Sequence, residues 1–436
     1  MTSSTCVYVP LSDDVLHPGH LNVLDKAVSL GQVTVGLLTD AAIAQYRRIP
    51  QLSFEERLRI ASSLRQVHKV VPQSTWSYRE NLEMYRPQYV VHGDDWRHGI
   101  QWRVREEVIE VLSQWGGQLV EVPYLGDSSI AQTGLKGSRT FNSSTDLRRG
   151  QLRRLMAAKP LVRIIEAHNA LSAAIAEGAH ADRGESFAEF DGLWASSLTE
   201  SATKMRPDTE SVDVSDRISL LNQMLEVTTK PFIFDADTGG KVEHFEFTLR
   251  TLERLGVSAA IVEDKMGLKR NSLYGNSVKQ ELMDPGQFAE KIRYGRDALS
   301  SDDFMLIARI ESLVAGEGIE GALERALTYL SAGADGIMIH SSSSDTTEIE
   351  TFAFEYASFS DNRPLVVVPT AFSHVTENQL TEWGVNLVIY ANHLVRAAYP
   401  AMVRAAASIL QKGSAGALEG TLAPVSEILE LIDHRT

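Results

Sequence analysis

Cysteine is all but missing from this chain: Cys6 stands alone among 436 residues. No intramolecular disulfide or cysteine-rich metal cage can form, a pattern that fits a reducing cytoplasm. Cations are also scarce, with 42 Lys and Arg against 57 Asp and Glu, and a net charge of −15 works against binding a nucleic-acid backbone. Nucleic acid is therefore not an expected partner, and any anionic substrate must be gripped locally. No uncharged apolar run approaches the ~18 residues of a membrane helix, and MTSSTCVYVP has no basic segment ahead of an apolar one. The expectation is a soluble cytoplasmic protein with no membrane partner.

What the chain has is apolar material for two cores. It is 43% hydrophobic, and single cores usually stop growing near ~250 to 300 residues. Residues 1–132 alternate short β-branched runs with amphipathic stretches, the pattern of a parallel sheet covered by helices. Strands are predicted at Cys6–Leu11, Gln32–Leu38, Gln88–His92 and Gln118–Pro123. A helix is predicted from His20 to Leu30, and Ser53-Phe-Glu-Glu56 reads as a capping box opening another. Residues 133–150, rich in Gly, Ser and basic side chains, read as a linker.

Residues 151–436 repeat a strand-then-helix rhythm. Strand candidates are Leu161–Ala167, Gly192–Ala195, Pro231–Phe234, Ala259–Val262, Met305–Ala308, Gly336–Ile339, Leu365–Val368 and Asn386–Tyr390, which imply a closed (β/α)8 barrel. Polar residues follow these runs: His168, Ser196, Asp235 with Asp237, Glu263, Arg309, His340, Thr370 and Asn392. In such barrels the active site is built at the C-terminal strand ends.

Two motifs carry chemistry. In HPGH, from His17 to His20, Gly19 lets the backbone approach a ligand at a helix start, where unpaired N–H groups suit phosphates and imidazoles can support a leaving pyrophosphate. Downstream, Asp235 and Asp237 alternate at a strand end and Glu263 ends the next strand. Three hard oxygen donors of this kind suit Mg2+. Arg309 and His340 can bind a phosphoryl group opposite the metal. Lys265 to Gly275, with Gly267 and Gly275 as hinges and Lys269 and Asn271 within it, reads as a lid.

HPGH, Ser53-Phe54-Glu55-Glu56-Arg57 and Gly93-Asp94-Asp95-Trp96 together resemble the glycerol-3-phosphate cytidylyltransferase type of HxGH nucleotidyltransferase, over nearly all of residues 5–132. The resemblance implies that His17 and His20 contact the triphosphate of CTP and that Asp14 positions nucleotide or metal. It also implies that Asp94 and Trp96 line the cytidine region, that Arg48 stands in for a triphosphate-binding lysine, and that Ser128 and Ser129 contact the triphosphate. The family's late RTxGxST segment is Tyr124-Leu125-Gly126-Asp127-Ser128-Ser129 here, without its arginine, so a different acceptor is implied.

The second half resembles phosphoenolpyruvate mutase, of the isocitrate lyase-like barrels. The matching residues are Ala167-His168-Asn169-Ala170-Leu171-Ser172, Trp194-Ala195-Ser196-Ser197-Leu198, Asp235-Ala236-Asp237-Thr238-Gly239, Glu263-Asp264-Lys265, Lys269 with Asn271-Ser272, Ala308-Arg309-Ile310-Glu311 and Tyr390-Ala391-Asn392-His393. The resemblance implies that Trp194 packs over substrate, which Ser196 holds with the backbone amides of Ser197 and Leu198. Mg2+ would sit mainly at Asp235 and Asp237, supported by Asp208 and Glu263. Arg309, His340 and Asn271 would receive a migrating phosphoryl group, under a lid carrying Lys269. The implied reaction is phosphoenolpyruvate to phosphonopyruvate.

Carbon–carbon lyase relatives use a loop cysteine that this barrel lacks, whereas phosphonopyruvate hydrolase is the nearer rival. Both halves together resemble the bifunctional mutase/cytidylyltransferases of fosfomycin-type phosphonate biosynthesis. The expected fold is thus a Rossmann-like nucleotidyltransferase domain joined to a (β/α)8 barrel, with 2-hydroxyethylphosphonate as the CMP acceptor and homo-oligomerisation through the barrel. The alternatives for the first domain are a phospholipid head-group cytidylyltransferase and a non-catalytic nucleotide-binding module.

Overall fold

The computed structural model describes residues 5–12, 16, 18–97, 101–123, 144–182, 187–267, 269 and 281–431. The chain divides into two compact units. In the first, β1 (Cys6–Leu11), β2 (Gln32–Leu38), β3 (Lys69–Gln73), β4 (Tyr89–Gly93) and β5 (Gln118–Val122) form a parallel sheet in the order β3-β2-β1-β4-β5. Successive side chains of β1 go to opposite faces, and both faces are covered. Val7, Val9 and Leu11 pack with Leu24 and Val35, while Tyr8 packs with Val90, Trp96 and Val104.

Tyr8 is accommodated by a missing side chain. A Cβ on Gly36 would lie 1.7 Å from the Tyr8 hydroxyl. That hydroxyl donates to Gln73 Oε1 at 2.5 Å and accepts from Asn81 Nδ2 at 2.9 Å, so its polar tip is satisfied inside the core.

In this five-stranded sheet one strand was not expected from the sequence. β3 reads KVVPQ, and its Pro72 argues against a central strand. The structure puts it at the edge, where a missing N–H is tolerated. The Ser53 capping box is present, with Glu56 N–H donating to Ser53 Oγ and Ser53 N–H to Glu56.

The second unit contains β6 (Val162–Glu166), β9 (Gly192–Ala195), β10 (Phe232–Asp235), β11 (Ala259–Glu263), β12 (Met305–Ile310), β13 (Gly336–Ile339), β14 (Leu365–Val367) and β15 (Leu387–Tyr390). They close into a parallel barrel in the order β10-β11-β12-β13-β14-β15-β6-β9. Each expected barrel strand is found, with its ends within two residues of expectation. A short sheet of β7 (His180–Asp182) and β8 (Phe187–Glu189) was not foreseen, being too short to show periodicity.

The outer helices present apolar stripes to the barrel. In Val242–Arg254 the buried residues Phe245, Leu249 and Leu252 recur at helical spacing and join Phe288 and Ile292 of Pro285–Ala298 in one core. Each such side chain contributes about 1.5–3 kcal/mol on burial. Pro285 opens its helix where no N–H is needed, and Asp284 caps Gln287 N–H.

The expected linker needs correction. Residues 133–143 lie outside the described residues, but Thr145–Gly150 open a helix that runs to Ala158. Arg148, Gln151, Leu152 and Leu155 form its buried stripe, and alternation with arginines had masked that pattern.

Candidate active sites

One pocket opens at the C-terminal end of the barrel strands. Trp194 lines it from β9, Ser196 and Leu198 from the start of the helix Ser197–Thr203, Asp235 from β10, Arg309 from β12 and His340 from just past β13. Asp208 and Lys269 enter from loops, and Thr370 and Asn392 close the far wall after β14 and β15. Eight of the residues expected at this site therefore meet in one cavity. Ser197 sits just behind it, with its N–H on Asp235 Oδ2 at 3.3 Å and its Oγ 2.9 Å from the same oxygen. Asn271 and Gly275 lie outside the described residues, as does most of the expected lid.

His168 is not brought to the pocket lining. Its Nδ1 lies 2.9 Å from Glu166 Oε2, and the other Glu166 oxygen accepts the Val395 N–H at 2.8 Å. Glu166 thus ties β6 to the helix His393–Lys412 and holds the His168 ring beside it.

The carboxylates are organised around cations. Lys269 Nζ donates to Ser197 Oγ and to Asp237 Oδ1 at 2.5 Å, and lies 3.3 Å from Asp208 and 3.7 Å from Asp235. Arg217, buried in the helix Val214–Leu225, donates to Asp237 Oδ2 at 2.9 Å, Glu200 Oε2 at 2.7 Å and the Asp235 carbonyl at 2.7 Å. Its guanidinium also stacks 4.3 Å from the Phe234 ring centroid. Burial opposes ionisation of Asp235, but Lys269 and Arg217 outweigh it and hold the carboxyl well below its usual range. The same pairing works in reverse on Lys269: burial lowers its pKa, and Asp235 and Asp237 more than restore it.

Asp237 has φ 52°, the left-handed region, which Asp tolerates better than most residues. This turn aims its carboxylate back at the strand end, while its own N–H reaches Asp235 Oδ1 at 3.2 Å and its carbonyl accepts Glu263 N–H at 2.9 Å. Below it, Lys291 Nζ donates to the carbonyls of Thr238 at 2.5 Å and Gly240 at 2.7 Å, pinning the turn.

The expected sharing of one cation by Asp235, Asp237 and Glu263 is not seen. Among the described residues no three His, Cys, Asp or Glu side chains are grouped to hold a metal together. Instead an ammonium sits among Asp208, Asp235 and Asp237, a donor set whose chemistry suits a hard cation. Glu263 is 1% exposed, and among the described residues neither carboxylate oxygen has a hydrogen-bond partner. Among the described residues the cations within ion-pair distance are Arg309 at 3.5 Å and Lys265 at 3.6 Å. Burial pushes its carboxyl up to about 7, against those two cations. Unpaired carboxylate oxygens of this kind are what a hard, water-bearing cation satisfies.

In the first unit, β1 lies between β2 and β4, so the strand order reverses beside it. Open parallel sheets bind ligands in the crevice at that point. The helix Pro18–Val28 starts there with Gly19 and His20 in its first turn, and Asp94 follows β4 in the turn Asp94–Arg97. Arg57 of the capped helix donates to the Leu38 carbonyl at 2.9 Å and Asp40 at 2.7 Å, fixing that helix to the end of β2. Arg48 is half-buried. Its neighbour Arg47, not singled out from the sequence, donates to Ser12 Oγ at 2.5 Å just past β1.

Trp96 is 1% exposed, its indole N–H on Glu121 at 3.0 Å and its face stacked on His92 at 3.7 Å. It is a wall of the core beneath the crevice rather than an open platform. Burial lowers the pKa of His92, and His20 adds in the same direction. Asp14, His17, Ser128 and Ser129 lie outside the described residues. Among the described residues no helix is long and apolar enough to cross a membrane.

Comparison with known proteins separates the two units. A family model described as phosphoenolpyruvate phosphomutase matches residues 152–410, and one described as cytidylyltransferase-like matches residues 14–150. Phosphoenolpyruvate phosphomutase of Tetrahymena pyriformis is 36% identical over 294 residues, 67% of this chain and 93% of the relative. Among solved structures, phosphoenolpyruvate phosphomutase from Streptomyces platensis subsp. rosaceus is 35% identical with a TM-score of 0.60, over 64% of this chain and 93% of that one. Phosphonopyruvate hydrolase in complex with oxalate and Mg++ is 33% identical with a TM-score of 0.58, over 65% and 94%.

Proposed function

Because the chain belongs to the phosphoenolpyruvate phosphomutase family and carries a cytidylyltransferase-like unit as well, we propose that it catalyses two steps of phosphonate biosynthesis. The barrel rearranges phosphoenolpyruvate to phosphonopyruvate. The first unit transfers CMP from CTP to a downstream phosphonate, 2-hydroxyethylphosphonate, with release of pyrophosphate. Both steps belong to a fosfomycin-type route in the cytoplasm.

The observation that carries the barrel reading is the meeting of Arg309, His340 and Lys269 with Asp235 in one pocket over Trp194. In the rearrangement the P–O bond of the enol phosphate breaks and a P–C bond forms at carbon 3 of the same pyruvate enolate. Nothing is gained or lost overall. A loose phosphoryl group in flight needs fixed positive charge and exclusion of water. Arg309 and His340 receive the phosphoryl oxygens, joined by Asn271, while Ser196 and the amides of Ser197 and Leu198 hold the carboxylate end. Mg2+, held by Asp235 and Asp237 with support from Asp208 and Glu263, would neutralise the enolate oxygen when bound. Lys269, which neutralises the same carboxylates here, would share that task with the ion and line the pocket beside the phosphoryl group.

The rival is hydrolysis of phosphonopyruvate, favoured by the 33% identity to a hydrolase of that substrate. Phosphorus NMR of phosphonopyruvate with protein and Mg2+ separates them. The mutase reading expects phosphoenolpyruvate, and inorganic phosphate would overturn it.

For the first unit, the support is the placement of Gly19, His20 and Asp94 at the strand reversal beside β1. A helix start and imidazoles there suit attack of a phosphonate oxygen on the α-phosphorus of CTP. Pyrophosphate release from CTP should depend on 2-hydroxyethylphosphonate and collapse in His17→Ala and His20→Ala. Turnover with glycerol phosphate or phosphocholine instead would mark a head-group enzyme, and no turnover with any acceptor a nucleotide-binding module.

The barrel is further read as a homo-oligomer. Its helix His393–Lys412 has no buried residue and exposes Tyr399, Met402 and Leu410. Sedimentation of wild type and Leu410→Glu tests this, and an unchanged monomer in both would refute it.

A further inference from the structure

Arg309 and His340 reach the pocket, but what aims them is a carboxylate that does not line it. Glu311 follows β12 and is fully buried. Its Oε1 accepts from Arg309 Nε at 2.5 Å and also from Arg309 Nη2, and the same oxygen lies 2.9 Å from His340 Nδ1. Its Oε2 lies 3.5 Å from Lys265 Nζ.

Glu311 is itself held. Its N–H donates to Asp264 Oδ1 at 3.0 Å, while the other Asp264 oxygen accepts from Tyr329 at 2.8 Å and lies 3.2 Å from Arg325 Nη1. Asp264 N–H donates to the Arg309 carbonyl at 3.1 Å, and its carbonyl accepts Met283 N–H at 2.8 Å. Glu311 therefore cannot drift without dragging two strand ends and a helix with it.

This placement decides the proton on the imidazole. His340 Nδ1 has two neighbours, Glu311 Oε1 at 2.9 Å and Arg309 Nη2 at 3.0 Å. A bare Nδ1 facing a carboxylate oxygen at that distance would set two lone pairs against each other. A protonated Nδ1 makes a charge-assisted hydrogen bond to Glu311, whereas a bare Nδ1 would accept from Arg309 Nη2 at 3.0 Å, and the closer approach of the carboxylate favours the proton on Nδ1.

We propose that Glu311 is the positioning residue of the phosphoryl pocket: it locks the Arg309 guanidinium and holds His340 as the Nδ1–H tautomer, leaving Nε2 to meet the ligand. A neutral ring in that form offers a lone pair, so it selects a singly protonated phosphoryl group, whose P–OH donates to Nε2. Burial lowers the His340 pKa, which favours the neutral ring. The ligand's identity rests on the mutase reading above, whereas the ring's tautomer does not.

The test is long-range proton–nitrogen correlation NMR on protein labelled with 15N-histidine, assigned with His340→Asn. Wild type should show His340 protonated at Nδ1. In Glu311→Ala the proton should move to Nε2 as Arg309 turns its hydrogen onto Nδ1, and kcat for phosphonopyruvate should fall about 10²-fold with a smaller change in KM. Glu311→Gln, whose amide oxygen still accepts, should keep the Nδ1 proton and recover most of kcat. An Nε2 proton in wild type, or an unchanged tautomer and kcat in Glu311→Ala, would overturn the proposal. If Glu311→Ala does not fold, the wild-type and Glu311→Gln spectra still decide it. Inorganic phosphate as product would remove the mutase reading and leave the tautomer result standing.

Discussion

The two units handle charge in opposite ways. The barrel sinks Asp235, Asp237, Glu263, Glu311, Arg217, Arg309 and Lys269 to 8% exposure or less and balances them against one another. The first unit keeps its described motif residues, His20, Arg48 and Asp94, half-buried, with His20 and Asp94 just past the central strands β1 and β4 and Trp96 buried in the apolar core. A buried ionic lattice is expensive to assemble but arrives already oriented, which suits a reaction whose fragments must not escape. A crevice over a helix start offers backbone N–H groups and suits a ligand that brings its own negative charge.

The comparison breaks most sharply at Arg217. Arg217→Met strands Glu200 and Asp237 in the interior and should cost the barrel about 3–5 kcal/mol, read by urea unfolding. A loss below about 1 kcal/mol would mean the lattice is less interdependent than its contacts. Next in size, Asp235→Asn should slow conversion of phosphonopyruvate about 10²–10³-fold while pyrophosphate release from CTP stays intact. His20→Ala should do the reverse, by about the same factor. Loss of both activities in either variant would deny that the sites are independent.

A smaller effect belongs to Glu121, which accepts from Trp96, Arg97 and Arg105 beneath the crevice. Arg105 and Arg97 hold its carboxyl down to about 2. Because its folded pKa lies below the unfolded value, its contribution is present in full above about pH 4.5 and is lost as pH falls through about 2. Glu121→Gln should cost about 1–3 kcal/mol at neutral pH, with the gap from wild type closing between pH 4.5 and 2 in thermal melts. A gap that is constant with pH would assign the effect to packing.

Much of this was legible beforehand, for identifiable reasons. Barrel strands are buried on both faces, so they read as apolar runs, and the polar residues just past them mark the working end. Asp235, Arg309 and His340 were found that way. Arg217 was not, because an arginine in an amphipathic helix looks exposed until its partners from β10 and the Ser197–Thr203 helix are known. Glu311 is two residues from Arg309 in sequence, but its hold on His340 crosses to the next strand, a contact no periodicity reveals. β3 stayed hidden behind Pro72, and Arg47 behind the more conspicuous Arg48.

Pro72 matters to the company this protein keeps in a crowded solution. A sheet edge is a template on which another chain can polymerise, and β3 is such an edge. Here one position has no N–H to offer, and its carbonyl is already taken by Asn81 at 3.0 Å. A stray strand would find no donor and an already engaged carbonyl at that rung, which disfavours edge-to-edge pairing there.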